Sequence, residues 1–338
     1  MQAEDVAREL RSVLREALAA DRVEVANVRR MTGGAVHETW AFDATVAPPG
    51  GPEERRRLVL HSYSPVAPQS MGARAEFTVL RAAHAAGVPA PQPLALLDQG
   101  LWQPGYVMER IDGETIGRRL VKDPTYARSR EVITAQLGRI LAAVHRIPLG
   151  GDIEAFLPGP PEGVPAAAHE VDRLEATYRG VTPDLHPAFE LALRWLRRHL
   201  VPAPERVFVH GDYRVGNVIF GPEGVRAVLD WEGAHVGDPA EDLGWLCVRS
   251  WRFGGDRPVG GVGSREDLIA AYHEGGGCPV DAERVRWWEV FGNVRWGVAT
   301  LRLVQPFLDG RTPDLEPASI GRRTTETEGE LMELIDGG

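Results

Sequence analysis

The stretch "HGDYRVGNVIF" at residues 210–220 places Asp212 two positions after His210 and Asn217 directly before the apolar run "VIF". The runs "RVFVH" before it and "VRAVL" after it, the latter at residues 225–229, are of the kind that form short buried strands. We therefore predict that Asp212 and Asn217 lie on a loop between strands. Asp230 follows "VRAVL" directly, so a second carboxylate ends the later strand.

This set of side chains is typical of phosphoryl transfer. One aspartate orients the attacking hydroxyl, while an asparagine and a second aspartate offer hard oxygen ligands to Mg²⁺ on the ATP phosphates. A structural alternative exists for Asp212, because an isolated His-Gly-Asp sequence is most often a turn in which the aspartate caps local amides. The conjunction with Asp230 favours the catalytic interpretation.

A second acidic stretch, "GDPAEDLGW", occupies residues 237–245. Its carboxylates Asp238 and Asp242 are four positions apart, and negative charges near a helix N-terminus interact favourably with the helix dipole. We expect both side chains to support the catalytic loop structurally.

The composition is that of an ordinary globular protein of 338 residues, 43% hydrophobic and 25% charged. The two cysteines, Cys247 and Cys278, are far apart, which argues against a disulfide framework or a structural zinc site and predicts a cytoplasmic protein. A formal charge of −10 argues against nucleic acid or an anionic membrane as the main partner. The sequence has neither an export pattern nor an apolar run near the ~18 residues that cross a bilayer. A small molecule is the expected ligand.

The spacing of apolar residues divides the chain into two parts. It predicts a helix over residues 4–20, followed by short strands in "RVEVANV", "ETWAFDATV" and "RRLVLHSY". A second helix is predicted over 73–87, because Gly87 is a typical stop signal, and strands follow in "LALLDQG" and "GYVMERI". Helical patterns dominate from about residue 112 onward. A small antiparallel β lobe thus precedes a larger helical lobe, an α+β arrangement.

Two quoted stretches carry a family resemblance: "FVHGDYRVGNVIF" and "VLDWEGAHVGDPAEDLGWL" resemble the aminoglycoside phosphotransferase and choline kinase-like family. The resemblance extends from "MTGGAVHETW" at 31–40 to "GRRTTETEGELMELI" at 321–335. It is strongest to bacterial phosphotransferases that are similar to the kinase-like domain fused to some acyl-CoA dehydrogenases. The resemblance implies a protein-kinase-like two-lobe fold, with a nucleotide-binding lobe over 1–108 and a helical lobe with the catalytic loop and acceptor site over 109–338.

The resemblance also implies roles for the motif residues. Asp212 matches the catalytic base of the family, and Asn217 and Asp230 match its two magnesium ligands. His210 matches a histidine that shapes the catalytic loop, and we interpret it as a packed scaffold residue. The implied cofactors are Mg²⁺ and ATP, with GTP as the alternative nucleotide.

The resemblance implies a nucleotide site in the small lobe. The glycine loop with Thr32, Gly33 and Gly34 corresponds to the segment over the phosphates, where glycines let backbone amides approach them. Taken alone, such a Gly-Gly pair between strands is usually a hairpin turn. The backbone of Glu109 to Ile111, between the lobes, corresponds to the segment that hydrogen-bonds adenine.

One position departs from the family pattern. The family pairs a lysine or arginine on a central strand with a helix glutamate; Glu76 matches the glutamate, but His61 stands where the cation is expected. An imidazole is mostly neutral at pH 7 unless a carboxylate or a triphosphate favours its charged form. Three interpretations follow: His61 is a weaker substitute, Arg74 takes over, or nucleotide binding has been lost.

The predicted function is ATP- and Mg²⁺-dependent phosphorylation of a hydroxyl on a small molecule. The first alternative is a nucleotide-binding pseudokinase or scaffold without catalysis, which the histidine at position 61 favours. A less favoured alternative is a metal-dependent hydrolase built from His and Asp ligands, namely His210, Asp212, Asp230, His235 and Asp238.

The acceptor site is expected on the helical lobe, in "RSWRFGG" at 249–255 and in the predicted helix over 283–303. The candidate contact residues are Trp251, Arg252, Trp288 and Arg295. Arginines outnumber acids in the predicted helix, which favours a neutral or anionic hydroxylated acceptor, such as a carboxylate or an acyl-CoA, over a polycationic aminoglycoside. A solvated helix face would give the same excess. The acceptor's identity and the oligomeric state stay open.

Overall fold

The computed structural model of the chain describes residues 3–31, 37–63, 71–97, 104–182, 184–202, 205–313 and 315–336. Thr32, Gly33 and Gly34, predicted to contact the nucleotide phosphates, lie outside the described residues.

The described helices are α1 (Ala3–Ala17), α2 (Ala73–Ala85), α3 (Gly117–Lys122), α4 (Ala127–His145), α5 (Ala166–Val181), α6 (Pro187–Arg198), α7 (Ala240–Cys247), α8 (Arg265–Glu274), α9 (Ala282–Leu308), α10 (Leu315–Gly321) and α11 (Thr324–Asp336). Within the described ranges, none of these helices combines the length and the apolar character needed to cross a bilayer.

The described strands are β1 (Arg22–Arg30), β2 (His37–Ala47), β3 (Glu54–Tyr63), β4 (Pro93–Leu97), β5 (Gly105–Glu109), β6 (Val207–Val209), β7 (Val218–Gly221), β8 (Gly224–Val228) and β9 (His235–Gly237). The first five strands form one antiparallel sheet in the order β1-β2-β3-β5-β4. β6 pairs with β9, and β7 pairs with β8. The strands and helices predicted from the apolar patterns are present, but His235, which we expected in a loop, lies on β9.

The chain divides into two compact units. The first unit consists of Met1–Gly113 with two later segments, Leu149–Phe156 and Arg226–Gly233. The second unit consists of Glu114–Pro148, Leu157–Val225 and Ala234–Gly338. The predicted assignment of nucleotide binding to residues 1–108, and of the catalytic loop and acceptor to 109–338, stays a prediction.

The two faces of the sheet in the first unit have different surroundings. Alternate residues of β2, from Trp40 through Phe42 to Val46, point to one face and join a buried cluster with Leu10 and Leu14 of α1. The residues between them point to the opposite face, as do His61 and Tyr63 on β3. Because one face is filled by α1, the opposite face is available for polar side chains.

The second unit is built around the long helix α9, which contacts α5, α6, α7, α8, α10 and α11. Trp287, Trp288 and Phe291 are each at most 2% exposed, so this part of α9 is core. α7 approaches α9 at Gly244, where an added Cβ would lie 2.6 Å from the Cβ of Trp288. This close approach places the first turn of α7 beside the catalytic loop, as described below.

The substitution Gly244→Ala is expected to destabilise the protein by roughly 1–3 kcal/mol, because the new methyl group meets the backbone of α9 and the helices must separate. Gly329→Ala in α11 is the matched control, since nothing lies within 4 Å of an added Cβ there. The control should be neutral or stabilising by up to about 1 kcal/mol through helix propensity. Chemical denaturation measures both; equal effects would contradict the close packing of α7 on α9.

Candidate active site

A buried carboxylate holds the backbone that precedes Asp212. Asp242, in the first turn of α7, is 0% exposed and accepts hydrogen bonds from the backbone N–H groups of His210 at 2.8 Å and Gly211 at 2.9 Å. Gly211 has φ +80°, a left-handed conformation that glycine adopts without steric cost. Two consecutive amides of the loop are thereby bound to one side chain, as expected of a structural support for this loop.

A chain of buried polar groups continues behind Asp242. His145 Nε2 lies 3.1 Å from the Asp242 carboxylate, and His145 Nδ1 lies 2.7 Å from the hydroxyl of Tyr272. Burial alone would raise the pKa of Asp242, but the hydrogen bonds and charge interactions from His145 and His210 outweigh it and lower that pKa. The support is therefore an anion at neutral pH, and charge-assisted hydrogen bonds are the stronger kind.

Arg295 of α9 holds the next peptide unit of the same loop, between Gly211 and Asp212. Its Nη2 donates to the carbonyl oxygen of Gly211 at 2.8 Å, and its guanidinium lies over the ring of Trp245 at 4.6 Å. Its Nη1 lies 3.4 Å from Glu241, a buried carboxylate that also contacts His235 at 3.1 Å. Arg295, predicted as an acceptor contact, is therefore committed to the loop.

The Asp212 carboxylate is oriented by donors from three side chains. Trp245 Nε1 donates to it at 2.7 Å, Asn217 Nδ2 at 2.6 Å, and Arg214 Nε at 3.1 and 3.2 Å. The side chain of Asp212 is 24% exposed, so one part of it still faces solvent. His210 is 0% exposed, and its Nδ1 accepts from the Asp212 amide at 3.2 Å. The carboxylate is thus positioned and still accessible.

Arg214 occupies a defined position beside Asp212. Its guanidinium lies over the ring of Trp251 at 4.7 Å. A Cβ built on Gly216 would lie 2.2 Å from Arg214 Nη1, so the glycine makes room for the guanidinium. Trp251 in turn contacts Trp245, with ring centroids 5.3 Å apart. An arginine, a tryptophan pair and the aspartate therefore form one packed cluster.

Asn217 ends a short 3-10 turn over Val215–Asn217, directly before β7. Its Nδ2 donates to both the backbone oxygen and the carboxylate of Asp212, at 3.0 and 2.6 Å. Because Nδ2 makes both of these hydrogen bonds, Oδ1 is the side-chain atom that could bind a cation. Among the described residues, no cluster of three or more His, Cys, Asp or Glu side chains is arranged to hold a metal.

The acids and histidines that a hydrolase site would need are bound to other partners. Asp238 is 0% exposed, forms a two-contact ion pair with Arg284 of α9, and accepts from the Ala240 amide at the start of α7. Its support of the catalytic loop therefore acts through the placement of α7. Together with the contact between His235 and Glu241, this pairing leaves the hydrolase alternative without a ligand cluster in the described chain.

In the first unit, Glu76 of α2 lies on the sheet face opposite α1. It is 2% exposed and accepts hydrogen bonds from the hydroxyls of Tyr63 and Tyr106 and from the backbone of Trp231. Burial, reinforced by the negative charges of Asp230 and Glu232, raises the pKa of Glu76 to about 8. Glu76 is therefore mostly protonated at pH 7 in the protein alone.

Asp230 lies two residues beyond the end of β8 and has φ +67°, one of few left-handed non-glycine residues in the described chain. Aspartate tolerates this conformation better than most residues, but it costs free energy and is concentrated at functional sites. With Glu76 and Glu232 it forms a locally negative region. A divalent cation would relieve the repulsion there.

The remaining predicted nucleotide contacts lie on β3 and β5. His61 pairs with Tyr106 across the strands, and its ring centroid is 5.3 Å from that of Tyr106 and 5.6 Å from that of Tyr63. The backbone amide of Glu109 donates a hydrogen bond to the backbone carbonyl of Gln92 at 2.9 Å, so this amide already has a partner within the protein. Ile111 is half-buried after β5, and the role predicted for its backbone stays a prediction.

The predicted acceptor residues separate into different environments. Trp288 is 1% exposed and packs against Trp287 and Phe291, so it is a core residue away from any surface. Arg252 is half-buried and lies beside Trp251 in the chain. The excess of arginines in α9 does not indicate an acceptor-binding surface. Arg284 and Arg295 form ion pairs with acids of α7 and of the turn before it.

Sequence reasoning missed Trp245, Arg214 and His145. A signal existed for the first: Trp245 follows Asp242 by three positions on the predicted helix, and residues at this spacing share a helix face. His145 carried no such signal, because its contact with Asp242 joins residues 97 positions apart.

A sequence profile of the phosphotransferase enzyme family matches residues 28–288, a range that includes Glu76, the catalytic loop and Asp230. The chain belongs to the phosphotransferase enzyme family. The predicted resemblance is thereby confirmed.

Curated relatives are of two kinds. Acyl-CoA dehydrogenase family member 10 of Mus musculus is 30% identical over 203 residues, which is 57% of this chain and 18% of that protein. Acyl-CoA dehydrogenase family member 11 of Homo sapiens is 28% identical over 211 residues, 58% of this chain and 26% of that protein. The chain therefore spans about a quarter or less of the length of these relatives. Viomycin phosphotransferase of Streptomyces vinaceus is 29% identical over 203 residues, 55% of this chain and 65% of that protein.

Solved structures share the fold over nearly the whole chain. A candidate aminoglycoside phosphotransferase of Ralstonia eutropha superposes with a TM-score of 0.73 at 21% identity, covering 99% of this chain and 98% of that one. A spectinomycin phosphotransferase in complex with ADP and spectinomycin gives 0.64 at 15% identity, with coverages of 99% and 98%. The predicted kinase-like α+β fold is confirmed.

The substitution Glu76→Gln is expected to change how stability depends on pH. Between pH 4.5 and about 8 the unfolded chain ionises Glu76 while the folded protein keeps it protonated, so wild-type stability falls as pH rises. The free energy of unfolding falls by up to about 1.4 kcal/mol per pH unit, and the total loss by pH 8 is on the order of 4 kcal/mol. A glutamine does not titrate, so the variant should gain stability relative to the wild type across this window.

Thermal unfolding of the ligand-free protein at pH 5, 6, 7 and 8 measures this difference. Glu162→Gln, at an exposed loop position, is the control and should follow the wild type. Curves for Glu76→Gln and the wild type that stay parallel from pH 5 to 8 would show that Glu76 is ionised in the folded protein.

Proposed function

We propose that the chain transfers the γ-phosphoryl group of ATP, with Mg²⁺, to a hydroxyl group of a small molecule in the cytoplasm. Membership of the phosphotransferase enzyme family and the similarity to viomycin phosphotransferase support a small-molecule kinase. The ADP bound in the spectinomycin phosphotransferase structure supports a nucleotide donor. A GDP complex of an aminoglycoside 2′-phosphotransferase with the same fold keeps GTP as the alternative donor.

The observation that carries this proposal is the orientation of Asp212. Three side chains donate hydrogen bonds to its carboxylate, and two further side chains, Asp242 and Arg295, hold the backbone of His210 and Gly211 before it. An acceptor hydroxyl that donates to Asp212 has its oxygen directed at the γ-phosphorus. The hydroxyl oxygen forms the new bond to the γ-phosphorus, and the bond from this phosphorus to the oxygen that links it to ADP breaks. ADP leaves, and Asp212 takes the hydroxyl proton.

We propose Asn217 and Asp230 as the residues that hold Mg²⁺. Both supply oxygen atoms, which Mg²⁺ prefers, and the hydrogen bonds from Asn217 Nδ2 turn its Oδ1 outward for this role. The negative charges of Asp230 and Glu232 next to the protonated Glu76 fit a cation in the same way. Mg²⁺ held by these two residues would offset the negative charge of the nucleotide phosphates.

Arg214 is proposed to stabilise charge on the transferred group. The stacking of its guanidinium on Trp251 and its contact with the Asp212 carboxylate hold this cation in place. A preorganised positive charge next to the attacking oxygen stabilises the transition state more than the ground state. We propose Trp251 and Arg252 as acceptor contacts, and leave out Trp288 and Arg295 for the reasons given above.

The substitution Asp212→Asn is expected to lower kcat by about 10²- to 10⁴-fold and to leave the Kd for Mg·ATP nearly unchanged, because the base is removed while the nucleotide contacts remain. ADP release with a panel of hydroxylated acceptors and calorimetry with a non-hydrolysable ATP analogue measure the two quantities. Asp184→Asn, in an exposed loop, is the control. Nucleotide binding without turnover in the wild type would instead indicate a pseudokinase, and wild-type turnover by Asp212→Asn would refute the assignment of the base.

The substitution Asp230→Asn is expected to raise the Mg²⁺ concentration for half-maximal activity at least tenfold, because a charged metal ligand becomes neutral. Glu232→Gln is a matched control, since it removes a negative charge from the same neighbourhood of Glu76 without removing a proposed ligand. Activity is titrated with Mg²⁺ at fixed ATP. Equal shifts in the two variants would show that only the local charge matters and that Asp230 is not a ligand.

A further inference from the structure

The second unit contains a cavity of about 650 Å³, and Arg252, one of the two proposed acceptor contacts, is part of its wall. Helix α3, the segment 249–256 and the start of α11 line it. Its walls carry five cationic side chains, Arg118, Lys122, Arg249, Arg252 and Arg323. The acids in the walls are only Asp256 and Glu326. The excess of positive charge is notable in a chain whose formal charge is −10.

Buried carboxylates fix two of these arginines as parts of the wall. Arg252 contacts Glu289 at 2.9 Å and Glu330 at 3.1 Å, and Arg249 contacts Glu330 at 2.8 Å. The side chains of Glu289 and Glu330 are 0% and 4% exposed. A guanidinium anchored from behind presents its remaining N–H groups in a fixed direction, so little entropy is lost when it binds a ligand.

Arg118 and Lys122 of α3 are different. Both are exposed, and within the described part of the chain neither makes an ion pair. Their helix packs closely against the opposite wall at Gly117. A Cβ atom added to this glycine would lie 2.2 Å from the ring of Phe253. Within the described residues, these two cations are therefore uncompensated in the sense that no acid pairs with them directly, although Asp256 and Glu326 belong to the same walls.

The backbone of the opposite wall also suits an anion. Arg252 is in the right-handed helical conformation and is followed by Phe253 with φ +48° and Gly254 with φ +80°. Successive residues of this kind turn their amides toward one side and form an anion-binding concavity. In the described structure, the amides of Phe253 and Gly254 make no hydrogen bond to the protein. A left-handed phenylalanine is strained, and such strain is concentrated at binding sites.

The cavity is next to the proposed catalytic loop. Phe253, which lines it, comes within 3.9 Å of the position that a Cβ of Gly216 would occupy. The neighbouring Trp251 lies under Arg214, which contacts Asp212. A ligand group in the cavity is thus separated from the base by one layer of side chains.

We propose that this cavity binds a phosphate group that the acceptor already carries, so that the acceptor is a hydroxylated phosphate ester and not a polycation. A doubly charged group fits two uncompensated cations, fixed arginines and free amides better than a single carboxylate does. The inference that the bound molecule is the acceptor rests on the proposed function; the phosphate site itself does not.

Isothermal titration calorimetry with inorganic phosphate tests the site. The double variant Arg118→Gln, Lys122→Gln is expected to lose one phosphate-binding site or to bind there at least tenfold more weakly than the wild type. The matched control, Arg128→Gln with Arg302→Gln, removes two exposed arginines of the same unit outside the cavity and should bind phosphate like the wild type. Absence of phosphate binding to the wild type, or an unchanged isotherm in the double variant, overturns the proposal.

Three further measurements distinguish phosphate binding in the cavity from carboxylate binding, from nucleotide binding and from the proposed function. Acetate should bind the cavity at least tenfold more weakly than phosphate, and equal affinities would overturn the choice of a phosphate. The double variant should keep the wild-type Kd for Mg·ATP; a matching loss would make the cavity part of the nucleotide site and overturn the proposal. Asp212→Asn should keep the phosphate site. A wild-type protein that binds phosphate here but shows no turnover would refute the proposed function alone.

Discussion

The interaction on which the second unit depends is the pair of hydrogen bonds from two consecutive loop amides to the buried carboxylate of Asp242. Removing the carboxylate would leave both N–H groups buried without partners, which costs more than the hydrogen bonds themselves contribute. The bonds require Asp242 to be ionised in a site with no solvent, and His145 makes this favourable. The loop position, the direction of Asp212 and the placement of α7 are therefore coupled.

Buried carboxylates also hold other parts of the unit in place. In each case a buried acid forms an ion pair with an arginine from another element. Asp238 holds Arg284, Glu241 holds Arg295, and Glu289 holds both Arg252 and Arg265. A buried pair of this kind adds little net stability, but leaving one partner alone in the interior is strongly unfavourable. The pairs thus specify which helices meet and in which register. They also explain why the arginine count of α9 says little about the ligand, because two of its four arginines, Arg284 and Arg295, are paired with buried acids of the protein.

The first unit has the opposite arrangement, in which acids lie close together. Burial and two neighbouring carboxylates keep Glu76 protonated, and tyrosine hydroxyls contact it on the face of the sheet that α1 leaves open. Such an arrangement is unfavourable for the ligand-free protein, and a bound cation would relieve it. In the second unit, by contrast, the buried acids are already paired with cations of the protein.

The sequence alone determined the features that depend on near neighbours. The spacing of Asp212 and Asn217, the strands around them and the α+β class all follow from local patterns and were predicted correctly, while the roles of the motif residues stay predictions. The tertiary structure decided which side chains meet over long separations: His145 with Asp242 across 97 positions, Trp245 with Asp212, and Arg284 with Asp238. It also placed Trp288 in the core and the uncompensated Arg118 beside the anchored Arg252. The physical reason is that the groups packed against a charged or aromatic side chain decide whether it is a structural residue or is available to bind a ligand. The packing of the helices determines which groups these are.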